Sequence, residues 1–228
     1  MEKDHIIIIE DRGLISVFGE DAANFLQNII TNDVKKVSIT QTIFSGIFTP
    51  QGKYLYEFFV IKSKNGFYID CDSEILSELL DYLKKYKLRS KVEFKDLSSE
   101  YVIGIISNDK FKEIQKLKGK SSQTVHYKSN PCFKDTRSNS LGARMLSSIR
   151  ELHFIIKELS LKITNQENYF RNAYENGIPT RGLKNLQNNL FGLEANFEEL
   201  SAIDFKKGCY IGQENTARMK LKNKLRKK

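Results

Sequence analysis

The sequence predicts an α+β protein with mixed sheets. Strand-like segments and amphipathic helical segments alternate along the 228 residues without an internal repeat. Gly, Pro and Asn stand between them, at the positions that tight turns require. A composition of 40% hydrophobic and 29% charged residues is that of a soluble globular protein. We therefore expect one large domain or two small ones.

The first part of the chain predicts two helices among short strands. One helix begins after Asp21 and a second after Ser73, each with apolar residues at the i, i+3, i+4 spacing of a buried face. Hairpin turns are predicted at Thr49–Gly52 and at Asn65-Gly66. The predicted strands are Ile6–Ile9, Leu14–Phe18, Ile43–Phe48, Tyr54–Ile61 and Phe67–Asp70.

The second part is less regular. Its predicted strands are Val92–Phe94, Tyr101–Ile106 and Gln123–Tyr127. Asp109 is a predicted helix cap, and a helix from Gln166 to Asn176 ends at the stop signal that Gly177 begins. Segment 148–164 fits a helix and a strand equally well. The polar, turn-rich region Ser121–Gly142 is the predicted functional loop.

The chain is basic, with a formal charge of +9 and a pI of about 9.3. This charge suits an anionic partner such as nucleic acid, a phosphate or a polyglutamylated cofactor. Six of the last nine residues, Lys220–Lys228, are Lys or Arg. A solvated tail is the usual outcome of such a run, and nucleic-acid binding through it is the alternative.

The cysteines predict neither a disulfide framework nor a dedicated metal site, because Cys71, Cys132 and Cys209 lie far apart and no histidine pattern accompanies them. Reduced cysteines favour a reducing compartment. No apolar run reaches the length of a membrane span, and the first residues lack a signal-peptide core. We therefore expect a cytoplasmic protein without a membrane partner.

The most unusual stretch reads KKGCYIGQE, over residues 206–214. Besides a lysine and a cysteine it contains two glycines, an aromatic residue and two polar residues: Gly208, Gly212, Tyr210, Gln213 and Glu214. The glycines permit positive φ or close backbone approach. Lys207 beside Cys209 favours a nucleophilic thiolate. On chemistry alone, a glycine-bounded strand with a buried structural cysteine is the alternative.

This stretch resembles the KGCYxGQE signature of the YgfZ family, folate-binding relatives of the glycine-cleavage T-protein GcvT. Further matches follow the order of that family along nearly the whole chain. They lie at Gly19–Gln27, Thr31–Val34, Pro50–Lys53, Leu88–Val92, Asp135–Arg144, Gly177–Pro179 and Leu193–Asn196. The resemblance implies a GcvT-like fold of mixed-sheet α/β subdomains with ferredoxin-like elements.

The resemblance also implies a bound tetrahydrofolate and a role in the assembly or repair of iron–sulfur enzymes, with an indirect effect on tRNA modification. The implied cofactor-binding residues are Glu194, Asn32, Arg137 and Arg144. A carboxylate accepts hydrogen bonds from pterin N–H groups, and guanidinium groups match the folate carboxylates. Cys209 would be the reactive thiol, assisted by Lys207. The implied partners are folate and iron–sulfur enzymes or their assembly proteins.

Two departures from the family pattern matter. The aminomethyltransferase branch carries an Asp-Asp pair where this chain has Tyr56-Glu57, so transfer of an aminomethyl group is not expected. Relatives continue after the signature into a C-terminal β-barrel, of which residues 206–228 would form only the start. We expect a folate-binding region at 1–205, with a subdomain break near 95–100. The alternatives are an aminomethyltransferase, a basic module that binds RNA or protein, and a non-functional remnant.

Overall fold

Two β-sheets pack face to face, and helices cover the outer side of each. The structure is a computed structural model that describes residues 2–119 and 121–226, with side chains as far as Lys222. Successive side chains of each strand alternate between the helices on one side and the opposite sheet on the other, which gives four layers. The predicted α+β class with mixed sheets is confirmed.

The first sheet is antiparallel throughout. Its strands, in spatial order, are β3 (Ile43–Phe48), β4 (Tyr54–Ser63), β5 (Gly66–Asp72), β2 (Arg12–Phe18) and β6 (Glu93–Asp96). Helices α1 (Ala22–Ile29) and α2 (Leu76–Lys87) cover its outer face. Leu26 of α1 and Leu79 of α2 are fully buried there, as the predicted apolar faces require.

The second sheet is mixed, because β1 and β11 run parallel while the other pairs are antiparallel. Its strands, in spatial order, are β11 (Lys162–Thr164), β1 (His5–Ile9), β7 (Tyr101–Ile106), β10 (Ala143–Ser148), β9 (Asn130–Lys134) and β8 (Thr124–Tyr127). Helices α3 (Asn108–Leu117) and α4 (Ile149–Glu158) cover its outer face. No helix in residues 2–119 and 121–226 has both the length and the apolar character of a membrane span.

The layer between the sheets is aromatic at its centre. Phe44 and Phe59 of the first sheet lie with ring centroids 5.0 Å apart, and Phe133 of the second sheet lies 5.5 Å from Phe59. Helix α5 (Glu167–Glu175) and the segment after it close one side of this layer. The chain ends in α6 (Gln213–Arg226).

Several local predictions need correction. Region 121–142 contains the paired strands β8 and β9, so it is not one continuous functional loop. Segment 148–164 divides into α4 and β11. The cap of α3 is Ser107, whose hydroxyl accepts from the Lys110 amide, because Asp109 already lies within the first turn. Helix α6 begins at Gln213, within the signature, and the interpretation of residues 206–228 as the start of a barrel stays a prediction.

The chain passes from the first sheet to the second at residues 97–100, where the sequence predicts a subdomain break. However, β1 precedes the whole first sheet in the chain and still pairs with β7 of the second sheet. The two layers are therefore not two consecutive pieces of sequence. The division into a folate-binding region 1–205 and a segment 206–228 stays a prediction.

Candidate functional site

The signature stretch packs against the turn between β3 and β4. Gly212 has φ +84°, and a Cβ at this position would lie 2.4 Å from the Thr49 carbonyl oxygen. Just beyond it, the Asn215 amide donates to the Pro50 carbonyl at 3.1 Å. Tyr210 is buried, with its ring edge-on to Phe48. Gly212 therefore allows two backbones to touch, which no other residue permits without displacement.

Lys207 of the signature binds the C-terminal end of α1. Its Nζ is buried and donates to the carbonyl oxygens of Gln27, Ile30 and Asn32 at 2.6, 2.6 and 3.1 Å. Burial lowers the pKa of this amine to about 8, although Asp33 and Asp204 raise it in part. The last carbonyls of a helix lack hydrogen-bond donors within the helix, and an ammonium group can donate to them. These contacts assign Lys207 to the end of α1 and leave no N–H for the thiol of Cys209.

Cys209 is exposed, between the buried side chains of Lys207 and Tyr210. Cys71 and Cys132 are buried, and burial raises the pKa of the Cys71 thiol to about 12. All three cysteines of the chain lie within the described residues, and Cys209 is the accessible one. The alternative of a buried structural cysteine at this position is therefore wrong.

The remaining signature residues divide by role. Gly208 is exposed, and a Cβ there would meet no atom within 4 Å, so this glycine is not required by space. Gln213 and Glu214 form the first turn of α6, and the Glu214 carboxylate accepts from Arg218 one turn later. The polar end of the signature thus begins a helix, where an acidic residue interacts favourably with the helix dipole.

A buried network of charges joins the two sheets. Its members are Arg12, Asp70, Asp135, Arg137, Arg144 and Tyr169. Asp70 of β5 accepts from Arg12 at 2.6 Å and from Arg144 of β10 at 2.8 Å. Asp135 accepts from Arg137 at 2.8 Å. The Tyr169 hydroxyl lies 2.8 and 3.2 Å from the guanidinium groups of Arg137 and Arg144.

The ion pairs of this network keep its carboxylates charged. Burial opposes ionisation of Asp70 and Asp135, but the adjacent guanidinium groups outweigh burial and lower the pKa of both carboxyls. Three arginines against two aspartates leave one positive charge in excess. An additional carboxylate nearby would balance it.

Glu57 of β4 is that carboxylate, and it has no hydrogen-bond partner among the described residues. It is 9% exposed. Burial raises the pKa of its carboxyl to about 7, although Arg137 and Arg12 act in the opposite direction. With Arg12, Tyr54, Asp72 and Thr180 it lines a cavity of about 10 Å³. Such a volume is close to the minimum for one water molecule.

The segment that borders this cavity is attached by exposed ion pairs and by the buried side chain of Leu183. Thr180, Leu183 and Lys184 line the cavity. Between them, Arg181 reaches Asp11 and Glu167, each at 3.2 Å, and Lys184 reaches Glu78 at 2.8 Å. Exposed pairs of this kind contribute roughly 0–1 kcal/mol each. Opening of segment 179–186 would therefore cost little electrostatic energy.

Of the four residues that the resemblance assigned to folate, the structure brings together only Arg137 and Arg144, which share the Tyr169 hydroxyl. Arg137 and Arg144 are held by internal carboxylates, so they are not free for those of a ligand. The amide nitrogen of buried Asn32 donates to the carbonyls of Phe44 and Ser201. Glu194 is exposed and closes its own turn, where it accepts from the Phe191 amide at 2.9 Å.

Sequence reasoning considered Glu57 only as a departure from a family pattern. One signal could have found it: a single carboxylate in the otherwise apolar strand Tyr54–Ile61. An unpaired acid in such a strand is costly unless it serves a ligand or is protonated. The part of the chain that the structure describes has no group of three or more His, Cys, Asp and Glu arranged to hold a metal ion.

Comparison with known proteins identifies relatives along most of the chain. A protein of Mycosarcoma maydis named "Iron-sulfur cluster assembly factor IBA57 homolog, mitochondrial" is 30% identical over 223 residues, which cover 92% of this chain and 52% of that protein. The "tRNA-modifying protein YgfZ" of Hamiltonella defensa is 28% identical over 219 residues, 93% of this chain and 65% of that protein. No family model matches the chain.

Among solved structures, the glycine cleavage system aminomethyltransferase T of Bartonella henselae superposes with a TM-score of 0.74. The match covers 96% of this chain and 63% of that one at 14% identity, which shows a shared fold. The predicted GcvT-like fold and the resemblance to the YgfZ family are thus confirmed. The chain is similar to IBA57 and YgfZ proteins over most of its length and spans about half the length of the IBA57 homologues that it matches.

The comparison overturns one expectation. The sequence predicts a cytoplasmic protein, but the IBA57 relatives carry the word mitochondrial in their names. The prediction of a cytoplasmic location is therefore wrong. It rested on the lack of a recognisable leader in the first residues.

Proposed function

We propose that this chain acts in the assembly or repair of iron–sulfur proteins, with the thiol of Cys209 as the group that meets the client protein. The names of its relatives favour this role, since they include an iron–sulfur cluster assembly factor and a tRNA-modifying protein. The observation that carries the proposal is the exposure of Cys209 between two anchored neighbours. An effect on tRNA modification would follow indirectly, through modifying enzymes that need such clusters.

Anchoring on both sides gives the thiol a fixed position. Lys207 is held by three carbonyls, and Tyr210 is packed in the core between the sheets. A functional group acts more efficiently when the surrounding residues hold it in place. As a thiolate, Cys209 is a ligand that iron–sulfur clusters accept.

The test is rescue of iron–sulfur enzyme activity in a host that lacks its own homologue of this chain. Cys209→Ser should abolish rescue, because a hydroxyl neither ligates iron in clusters nor exchanges with thiols. Gly208→Ala, next to it, is the matched control and should rescue fully, since its Cβ meets nothing. Full rescue by Cys209→Ser, with both proteins equally abundant, would eliminate Cys209 from the function.

We further propose that the chain binds a tetrahydrofolate next to Glu57. The free carboxyl there is the acceptor that the N–H groups of a pterin need, and a cofactor at this position would satisfy it. The cavity of about 10 Å³ is too small for a folate, so segment 179–186 has to move aside. The weak ion pairs of Arg181 and Lys184 are consistent with such a movement.

Calorimetric titration with tetrahydrofolate tests this site. Glu57→Gln should weaken binding about tenfold or more, because an amide oxygen is a weaker acceptor than a carboxylate. Glu194→Ala is the control, and the contacts of Glu194 predict little change. Loss of binding in Glu194→Ala with Glu57→Gln unaffected would favour the assignment that the resemblance implies. Absence of binding by the folded wild-type chain would remove the folate proposal.

Aminomethyl transfer stays the weaker alternative. Tyr56 turns toward the helices, where its ring lies 5.6 Å from that of Tyr82, and Glu57 alone turns toward the charge network. This chain therefore has one carboxylate at the two positions where the aminomethyltransferase branch has an Asp-Asp pair. We expect no methylene-tetrahydrofolate from an aminomethyl donor.

The basic tail, Lys220–Lys228, lies partly outside the described residues, since Lys227 and Lys228 are not described. Within the described part, Lys220 reaches Glu198 at 2.6 Å and lies 3.5 Å from the centre of the Phe205 ring. These contacts engage the first cation of the tail within the protein. Nucleic-acid binding through the tail therefore has less support than the thiol function.

A further inference from the structure

The end of α2 and the loop after it form a dense basic surface. Five of the eight residues at 84–91 are Lys or Arg: Lys84, Lys85, Lys87, Arg89 and Lys91. Cations in the last turn of a helix complement its dipole, which accounts for the first three. It does not account for Arg89 and Lys91, which follow the end of the helix at Lys87.

Leu88 stands at the centre of this surface with its side chain in solvent. It is 85% exposed, the highest value among the large apolar side chains of the described residues. Its backbone has φ 46° and ψ −115°, a conformation that is unfavourable for a branched side chain. Glycine would suit this position better, so the presence of leucine needs a reason outside the fold.

The loop that carries Leu88 is fixed by hydrogen bonds. The Ser90 amide donates to the Lys87 carbonyl at 2.9 Å, and the Lys91 amide donates to the Asp21 carboxylate at 2.7 Å. In return, the Asp21 amide donates to the Lys91 carbonyl at 3.2 Å. The leucine is therefore displayed at a fixed position on the loop.

Part of the surrounding charge is available to a partner. Lys87 pairs with Glu93 and Lys91 with Glu20, both as exposed pairs, and Lys84 is 4.0 Å from Asp81. Among the residues that the structure describes, Lys85 and Arg89 have no ion pair. Both are exposed next to Leu88. The surface thus combines an exposed apolar side chain with uncompensated positive charge.

We propose that this surface, Lys84–Lys91, docks the protein on an anionic lipid bilayer. Leu88 enters the boundary of the hydrocarbon region, while Lys85 and Arg89 contact the phosphate headgroups. Such a contact needs no spanning helix. RNA is the weaker partner, because the nearby rings on which its bases could stack, Tyr82 and Tyr86, are half-buried and stack on each other at 4.4 Å.

One apolar side chain and a few cations predict a weak, reversible and salt-sensitive association. The test is co-sedimentation of the full 228-residue chain with vesicles of phosphatidylcholine, with and without phosphatidylglycerol. We expect binding to the anionic vesicles only, with release at high salt. Lys85→Glu combined with Arg89→Glu should lower the bound fraction about tenfold or more.

Leu88→Gly separates the docking role from folding. It removes the side chain and suits the positive φ, so the thermal midpoint should stay the same or rise while vesicle binding falls several-fold. Leu117→Ala is the control, because Leu117 is also an exposed leucine, 64% exposed at the end of α3. Vesicle binding of this variant should equal that of the wild type. Lys64→Glu controls for loss of positive charge at an exposed turn.

Two results would overturn the proposal. One is that the wild type and both variants, Leu88→Gly and Lys85→Glu/Arg89→Glu, show the same degree of association with anionic vesicles, whether they all bind or none does. The other is tighter binding of a single-stranded RNA that the Lys85→Glu/Arg89→Glu variant loses and the Leu88→Gly variant keeps. That outcome would assign the surface to nucleic acid.

Discussion

At the scale of single residues, Glu57 is the clearest departure from a fold built only for stability. A largely buried carboxyl without a hydrogen-bond partner among the described residues carries a desolvation cost that a glutamine or an apolar residue would reduce. The positive excess of the neighbouring arginines lowers that cost without removing it, because the pKa of Glu57 is still about 7. A group with this pKa changes charge within the physiological range.

The first prediction concerns the pH dependence of stability. The pKa of Glu57 is raised on folding from an ordinary 4.5, so its favourable contribution is present below about pH 4.5 and is lost as pH rises through about 7. Glu57→Gln should therefore be more stable than wild type at about pH 8, by about 3 kcal/mol at most, and similar to it at low pH. Urea unfolding at both pH values measures this. A constant difference between the two proteins at all pH values would contradict it.

The second prediction compares two glycines of the signature. Gly212→Ala places a Cβ 2.4 Å from the Thr49 carbonyl at a positive φ and should cost about 2 kcal/mol or more of unfolding free energy. Gly208→Ala, four residues earlier, should change it by no more than about 0.5 kcal/mol. Thermal and urea unfolding distinguish the two. Equal stability of both variants would mean that the signature does not pack on the turn between β3 and β4.

At the scale of elements, the charge network holds β5 of the first sheet to β10 of the second. The residue that links the two sheets is Asp70, whose carboxylate accepts hydrogen bonds from Arg12 in its own sheet and from Arg144 in the other sheet. A carboxylate shared by two guanidinium groups is costly to lose, since Arg12 would then have no ion pair and Arg144 would keep only Asp135, at 3.6 Å. The network thus fixes the arrangement of the sheets around Glu57.

The third prediction tests this attachment. Asp70→Asn should lower the free energy of unfolding by about 3–5 kcal/mol, because it leaves buried positive charge uncompensated. Asp81→Asn, at an exposed aspartate 4.0 Å from Lys84, is the control and should change it by less than about 1 kcal/mol. A small effect of Asp70→Asn, with the folded spectrum unchanged, would show that the network does not join the sheets.

At the scale of the whole molecule, local patterns predicted elements better than they predicted the site. The hairpin at Thr49–Gly52 formed as expected, and the second hairpin turns one residue earlier than predicted, at Lys64-Asn65, because Gly66 already pairs with Ser63. The charge network was not foreseen, since its members come from β2, β5, the segment after β9, β10 and α5 and meet only after the sheets pack. For the same reason Arg137 and Arg144 looked like ligand-binding residues in sequence, although internal carboxylates hold them.

The signature shows the same limit at its own position. The sequence motif indicated a special site, and its glycines indicated close backbone contact, which Gly212 makes. The motif did not reveal that Lys207 turns away to α1, or that Cys209 is exposed to solvent. Those facts depend on residues up to 180 positions distant in the chain.

The central claim is that the fold exposes one reactive thiol. Its most direct test is thiol alkylation of the native protein, with the modified cysteines identified by peptide mass spectrometry. The account predicts rapid modification at Cys209, with Cys71 and Cys132 protected until denaturant is added. Cys209→Ser should then show no modification in the native state. Protection of Cys209 in the wild type, or equally rapid modification of all three cysteines, would contradict the account.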